Sequence, residues 1–218
     1  MGNRNENIGR RSKNAHFASM KSNPNPESEP QRGLLRLLST RRFAPFFWTQ
    51  FFGAFNDNVF KNALMLVVAF QAGQRLSMTS DVVINMAAGL FILPFFLFSA
   101  TAGQIADRME KSLLIRRIKM MEVFIMICAG VAFWTASLTV LLGLLFLMGT
   151  QSAFFGPVKY SIMPDQLKPT EIVGGNALVE MGTFISILLG TLCGGVLIQL
   201  KNGPAITGLV LVGIALAG

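Results

Sequence analysis

Asp57 and Lys61 stand one helical turn apart in a stretch that is otherwise mostly aromatic, aliphatic or amide, Phe51-Phe52-Gly53-Ala54-Phe55-Asn56-Asp57-Asn58-Val59-Phe60-Lys61-Asn62. At a spacing of four they share one helix face. At a bilayer centre each charge costs about 2.5–3.5 kcal/mol, whereas each Leu, Phe or Val returns only about 0.3–0.6. Such side chains are tolerated where they face a protein interior or a water-filled cavity, and there they mark a path for a substrate or an ion. The chemistry open to them is noncovalent: a carboxylate for cations and an ammonium for anions. Asn56, Asn58 and Asn62 add donors and acceptors around both. The structural alternative is an internal ion pair that only fixes helix packing.

Two further carboxylates fall inside apolar stretches. Glu122 follows Arg116, Arg117 and Lys119, and Lys119 at i,i+3 is within reach as a partner. Glu180 lies one turn after Asn176 with no basic neighbour on its own stretch. It needs a partner on another helix, a bound cation or a proton. Catalysis has little to work with. The single histidine, His16, sits in a polar N-terminal stretch, and Cys128 and Cys193 lie in apolar runs without zinc or Cys-x-x-Cys spacing. Neither a Gly-x-Ser-x-Gly, a phosphate-binding loop nor a His-Glu-x-x-His is present. The expectation is a non-enzyme with no metal site and no cofactor, save a coupling cation, Na⁺ or H⁺, at the carboxylates.

The elements that hold these groups follow from composition. The 218 residues are 52% hydrophobic and 14% charged, with a mean hydropathy of +0.52. A soluble domain carries about 25% charge. Residues 82–106, 123–158 and 181–200 form charge-free runs of 25, 36 and 20 residues. About 20 apolar residues span a bilayer as a helix. The longest run must therefore turn, and Trp134-Thr135-Ala136-Ser137 suits an interfacial turn. The expectation is an all-α polytopic membrane domain over 43–218, with spans at about 44–71, 82–105, 112–135, 138–159 and 172–199 and a sixth, 204–218, begun after Gly203-Pro204. Pro157 and Pro164 read as punctuation after the fourth span. Gly182, Ser186, Gly190 and Gly194 form a small-residue stripe for close helix approach.

The N-terminal residues 1–32 are polar and read as a disordered cytoplasmic tail. Residues 33–42 alternate apolar pairs with basic residues and predict a short amphipathic helix on the membrane surface. Basic residues divide unevenly between alternate sides. Nine fall in 1–43, five in the loop after the second span and two, Lys159 and Lys168, in the loop after the fourth, against only Arg75 and Lys201 opposite. That asymmetry predicts a cytoplasmic N-terminus. It also accounts for the net charge of +8 without nucleic acid.

The loop Gly103-Gln104-Ile105-Ala106-Asp107-Arg108-Met109-Glu110-Lys111 resembles the signature of the major facilitator superfamily between its second and third spans, with Glu110 where the family usually has glycine. Three further segments, 54–61 around Asp57, 154–160 (Phe-Phe-Gly-Pro-Val-Lys-Tyr) and 175–183 around Glu180, resemble the bacterial lysophospholipid transporter branch.

The resemblance implies the six-helix N-terminal half of that fold with its sixth helix truncated, working with a missing C-terminal six-helix half. It implies a lysophospholipid substrate taken from the membrane lipid of the bacterial inner membrane. Asp57, Asn58 and Lys61 would contact the headgroup or a cation, joined as candidates by Asn62, Glu122, Asn176 and Glu180. Gly103, Asp107, Arg108 and Lys111 would form the cytoplasmic gate. Phe91, Phe95, Phe96 and Phe98 are candidates either for an acyl-chain route or for lipid-facing surface. Alternatives are a facilitator for another amphiphile or drug, the membrane part of a fused acyltransferase and acyl-carrier-protein synthetase, and a non-transporting scaffold.

Overall fold

A computed structural model describes residues 35–75 and 79–218. The expected tail, 1–32, and the first two residues of the expected surface helix, 33–42, lie outside them. Residues 35–37 make one helical turn and turns follow to residue 43. The Thr40 hydroxyl donates to the Leu37 carbonyl at 2.8 Å, the kind of local bond with which hydroxyl side chains compete with a continuing helix. This turn belongs to a unit that ends at Thr40; a second unit comprises Arg41–Gly218.

The second unit is built from six helices, α1 (Ala44–Arg75), α2 (Ser80–Arg108), α3 (Lys111–Trp134), α4 (Leu138–Gln166), α5 (Ile172–Leu197) and α6 (Gly203–Ala217). No strand occurs among the described residues. Three helices, α2, α4 and α5, are long and apolar enough to cross a membrane, and α6 is apolar but short. The 32-residue α1 and 24-residue α3 fall short of that apolar composition because of the ionic and amide groups they carry, Asp57, Lys61 and the asparagines on α1 and the Arg116–Glu122 group on α3.

Two helices run further than their sequence punctuation suggests. α4 continues through Pro157 and Pro164 to Gln166, so the residues expected in the following loop are helical. A proline removes one ladder donor, a loss that neighbouring helices in a membrane bundle absorb. α2 continues to Arg108, leaving Met109 and Glu110 as the whole connection to α3. Both are extended, Glu110 at φ −63°, ψ 122°. That region is open to any residue, so glutamate stands without strain where glycine is usual. The 134–137 turn forms with Ala136 in the left-handed region at φ 51°, and Asn202, at φ 64°, precedes the Gly203-Pro204 helix start.

Packing pairs α1 with α5, α2 with α4 and α3 with α6. Exchanging α1 with α4, α2 with α5 and α3 with α6 reproduces the same three pairs. Two three-helix repeats inverted about an axis in the membrane plane give that pattern. Each pair crosses at glycine. A Cβ on Gly190 would stand 2.6 Å from the Phe55 carbonyl oxygen, and one on Gly208 would stand 2.7 Å from the Gly130 Cα. Gly149 of α4 abuts the Phe91 backbone of α2 in the same way. The α5 stripe thus serves the α1 crossing, with Gly182, Ser186, Gly190 and Gly194 all buried.

Polarity is distributed for a lipid solvent. Large apolar side chains such as Phe70, Phe96, Phe124, Phe184 and Leu209 are exposed, while Asn56, Asn58, Glu122, Gln151 and Lys159 are buried. The apolar core gathers the second half of α1 (Val59–Val68) with the start of α2, the end of α3 and the start of α4. It fills the end of the bundle opposite the 2–3 connection.

Candidate functional site

The other half of the bundle holds a cavity of about 340 Å³, walled by five helices. α1 supplies Gln50, Gly53, Asp57 and Lys61 from one helical face. Lys119 and Glu122 enter from α3, Gln151, Ser152 and Lys159 from α4, and Thr183 from α5. Phe91 and Phe95 of α2, with Phe155 of α4, form the apolar wall.

Asp57 and Lys61 share this face but do not pair: neither belongs to an ion pair among the described residues. The Ser152 hydroxyl donates to Asp57 Oδ2 at 2.8 Å, and Lys61 Nζ lies 4.4 Å from the centroid of the Phe91 ring. α4 and α2 bring a hydroxyl and a ring face up to α1, and each charge turns to its own neighbour. The packing-only ion pair is therefore replaced by two separate contacts on a shared cavity.

Glu122 does meet Lys119, at 2.8 Å, but as one link of a longer chain. Gln151 Nε2 donates to the same Glu122 oxygen at 3.2 Å, and Gln151 Oε1 lies 3.3 Å from Ser152 Oγ, whose single proton goes to Asp57. Polar contacts thus run from Lys119 to Asp57 across α3, α4 and α1. Asp57 Oδ1 and Glu122 Oε1 are buried and accept no hydrogen bond from the protein among the described residues. These two oxygens are the unused acceptors of the site.

Glu180 finds its partner on α4, where Lys159 Nζ stands 2.9 Å away and the Tyr160 hydroxyl donates at 3.1 Å. Lys159 is not a loop residue: the extension of α4 carries it into the bundle, 7% exposed and on the cavity wall. Asn58 donates to the Ala54 carbonyl at 2.7 Å and lines the cavity. Asn62 bonds Thr191 of α5 at 3.1 Å and serves the helix seam, outside the lining. Asn176 is exposed and also outside it. Phe96 is 82% exposed, and Phe98 stacks on Phe154 with centroids 6.0 Å apart. Only Phe91 and Phe95 of the four candidate phenylalanines reach the cavity.

The gate residues cluster at the same end of the bundle. Gly103, Asp107 and Arg108 lie on the last turns of α2, with Asp107 and Arg108 exposed. Lys111 donates to the Ser161 carbonyl and to Asp165 Oδ2, each at 2.7 Å, tying the start of α3 to the end of α4. A second tie joins Arg42 to Glu171 at 2.6 Å, before α1 and α5. The Lys168 backbone N–H, aided by Arg42, holds the Glu171 carboxyl below the usual carboxylate range. Among the described residues no group of three or more His, Cys, Asp or Glu side chains is placed to hold a metal ion.

Sequence reasoning missed Gln50, Gln151, Ser152 and Thr183. One signal was available: Gln151 is the only amide in the 36-residue charge-free run. Gln50 and Thr183 meet only by folding, with Gln50 Nε2 donating to Thr183 Oγ1 at 3.2 Å.

The sequence model of the Major Facilitator Superfamily matches residues 18–218. The chain belongs to the major facilitator superfamily. The inverted pairing of its helices and the signature at 103–111 are features of that family's members. Among curated proteins it is similar to the lysophospholipid transporter LplT of Photorhabdus laumondii subsp. laumondii, 31% identical over 163 residues, which cover 73% of this chain and 37% of that protein. LplT of Salmonella newport and of Salmonella typhimurium are each 31% identical over 169 residues, covering 78% of this chain and 38% of theirs. The match thus spans less than two fifths of the length of these relatives. No solved structure matches the chain at a significant level.

Proposed function

We propose that this superfamily member flips lysophospholipids across the bacterial inner membrane by alternating access, as a multi-pass protein with a cytoplasmic N-terminus. The observation that carries the reading is the two-sided cavity. Asp57, Lys61, Lys119 and Glu122 stand on it together with Phe91, Phe95 and Phe155. A lysophospholipid has a charged headgroup and a single acyl chain, and it needs a polar chamber beside an apolar wall. The ammonium groups suit a phosphate, and the unused oxygens of Asp57 and Glu122 suit a cationic headgroup or a coupling cation, Na⁺ or H⁺. Three curated relatives carrying the name lysophospholipid transporter support the substrate class.

Alternating access needs one end sealed while the other opens. The apolar core at one end and the cavity toward the other give this six-helix unit such an asymmetry. In the family's architecture, rocking against a second six-helix half completes the path, and Asp107 and Arg108, exposed at the end of α2, are free to meet it. The reading assigns no catalytic residue.

The test uses the full-length protein, as its gene encodes it, in vesicles containing a fluorescent lysophosphatidylethanolamine. Accelerated flipping, reduced by unlabelled lysophospholipid, supports the proposal. Unchanged flipping on addition of the protein, or inhibition by unrelated amphiphiles but not by lysophospholipid, overturns it.

A further inference from the structure

Lys61 and Phe91 line a second space besides the main cavity: an apolar groove of about 200 Å³ between α1 and α2, floored by α4. Its other walls are Leu64, Met65, Ala87, Ala88, Ile92 and Leu145. Leu64 and Ala87 are fully buried, whereas Ile92 at the mouth is 50% exposed. The groove is thus closed at its floor and open on the side of the bundle.

We propose that this groove seats the acyl chain of the transported amphiphile, with Lys61 holding the headgroup phosphate at the junction of the two spaces; the assignment rests on the transport reading above. Three observations carry it. Lys61 has no carboxylate within ion-pair distance among the described residues, and its ammonium lies over the Phe91 ring face. A ring face balances an ammonium only weakly, and an anionic phosphate completes the balance. Apart from Lys61, every side chain of the groove is apolar, so it rejects a headgroup and accepts methylenes. Phe91 lines both spaces, its backbone held against Gly149, so its ring stands at the boundary between cavity and groove. The open mouth at Ile92 lets a chain longer than the groove continue into the bilayer, which suits one tail of variable length.

The experiment is photolabelling of the full-length protein in vesicles with a lysophosphatidylethanolamine bearing a diazirine on its acyl chain, mapped by mass spectrometry. Label on Met65, Ala88 and Leu145, reduced by unlabelled lysophosphatidylethanolamine but not by a diacyl phospholipid, is the expected result. An Ala88→Phe variant fills the groove; it should lose groove label and flipping at least about tenfold, the scale of an overpacked apolar site. Label confined to Phe95, Phe155 or the outer faces while the unaltered protein flips normally overturns the groove assignment alone. So does groove label that diacyl phospholipid displaces equally, since the occupant is then ordinary bilayer lipid. Absence of flipping by the unaltered protein overturns the transport reading instead.

Discussion

Asp57 Oδ2 accepts a hydrogen bond from Ser152 Oγ at 2.8 Å, a contact that ties α1 to α4 across 95 residues of sequence. The carboxylate makes no ion pair with Lys61 among the described residues, and its other oxygen, Oδ1, is buried and accepts no hydrogen bond there. Neither charge of the central pair is closed off by an ion pair with the other, and both residues line the cavity.

Neutralising either charge should slow transport strongly and spare the fold. A charged hydrogen-bond partner contributes about 1.5–3 kcal/mol, so Asp57→Asn and Lys61→Ala should each slow flipping at least about tenfold. The measurement is the initial flipping rate in vesicles beside a melting curve in detergent. A normal rate in either variant refutes the role given to α1.

Lys159 and Glu180 should show an asymmetric double-mutant cycle. Glu180→Gln strands a nearly buried ammonium, whereas Lys159→Met leaves a carboxylate that reaches solvent. The first should lower stability by about 1–3 kcal/mol, the second by less, and the double variant should regain most of the loss. Thermal unfolding of the four proteins reads the cycle directly.

The α1–α5 crossing should reject side chains at glycine. Gly190→Val places atoms against the Phe55 carbonyl and Asn58 Cβ and should destabilise by about 1–3 kcal/mol or prevent assembly. Ser186→Ala should be mild, since that hydroxyl donates only to the Gly182 carbonyl of its own helix. Yield of folded protein by size-exclusion chromatography distinguishes the two.

The Arg42–Glu171 tie should weaken in acid. Because the folded-state value of Glu171 is depressed, its contribution is complete above the ordinary carboxylate pKa of about 4.3 and is lost as pH falls through the lower folded value. The stability difference between the protein and Glu171→Gln should stay level from about pH 7 to 5 and shrink below about 4. Melting curves across that range decide it; a difference that shrinks already near neutrality contradicts the assignment.

The all-helical character of the described residues and several helix boundaries were readable in the sequence because apolar run length and turn residues act locally. The 134–137 turn, the Gly203-Pro204 start and the α5 stripe are such cases. The second end of α4 was not: Pro157 and Pro164 reduce local helix preference, and packing against α2 and α3 outweighs that loss. Lys159 was accordingly misplaced in a loop.

Sequence alone determined that the chain is helical, that its surface suits lipid and that Asp57, Lys61, Glu122 and Glu180 are charges inside apolar helices. Tertiary structure decided which partner each charge takes: Ser152, the Phe91 ring, Lys119 with Gln151, and Lys159 with Tyr160. Hydrophobic periodicity is a property of one helix, whereas a hydrogen bond between helices depends on their crossing points. Those crossings are set by glycines whose missing Cβ atoms matter only once a second backbone lies against them.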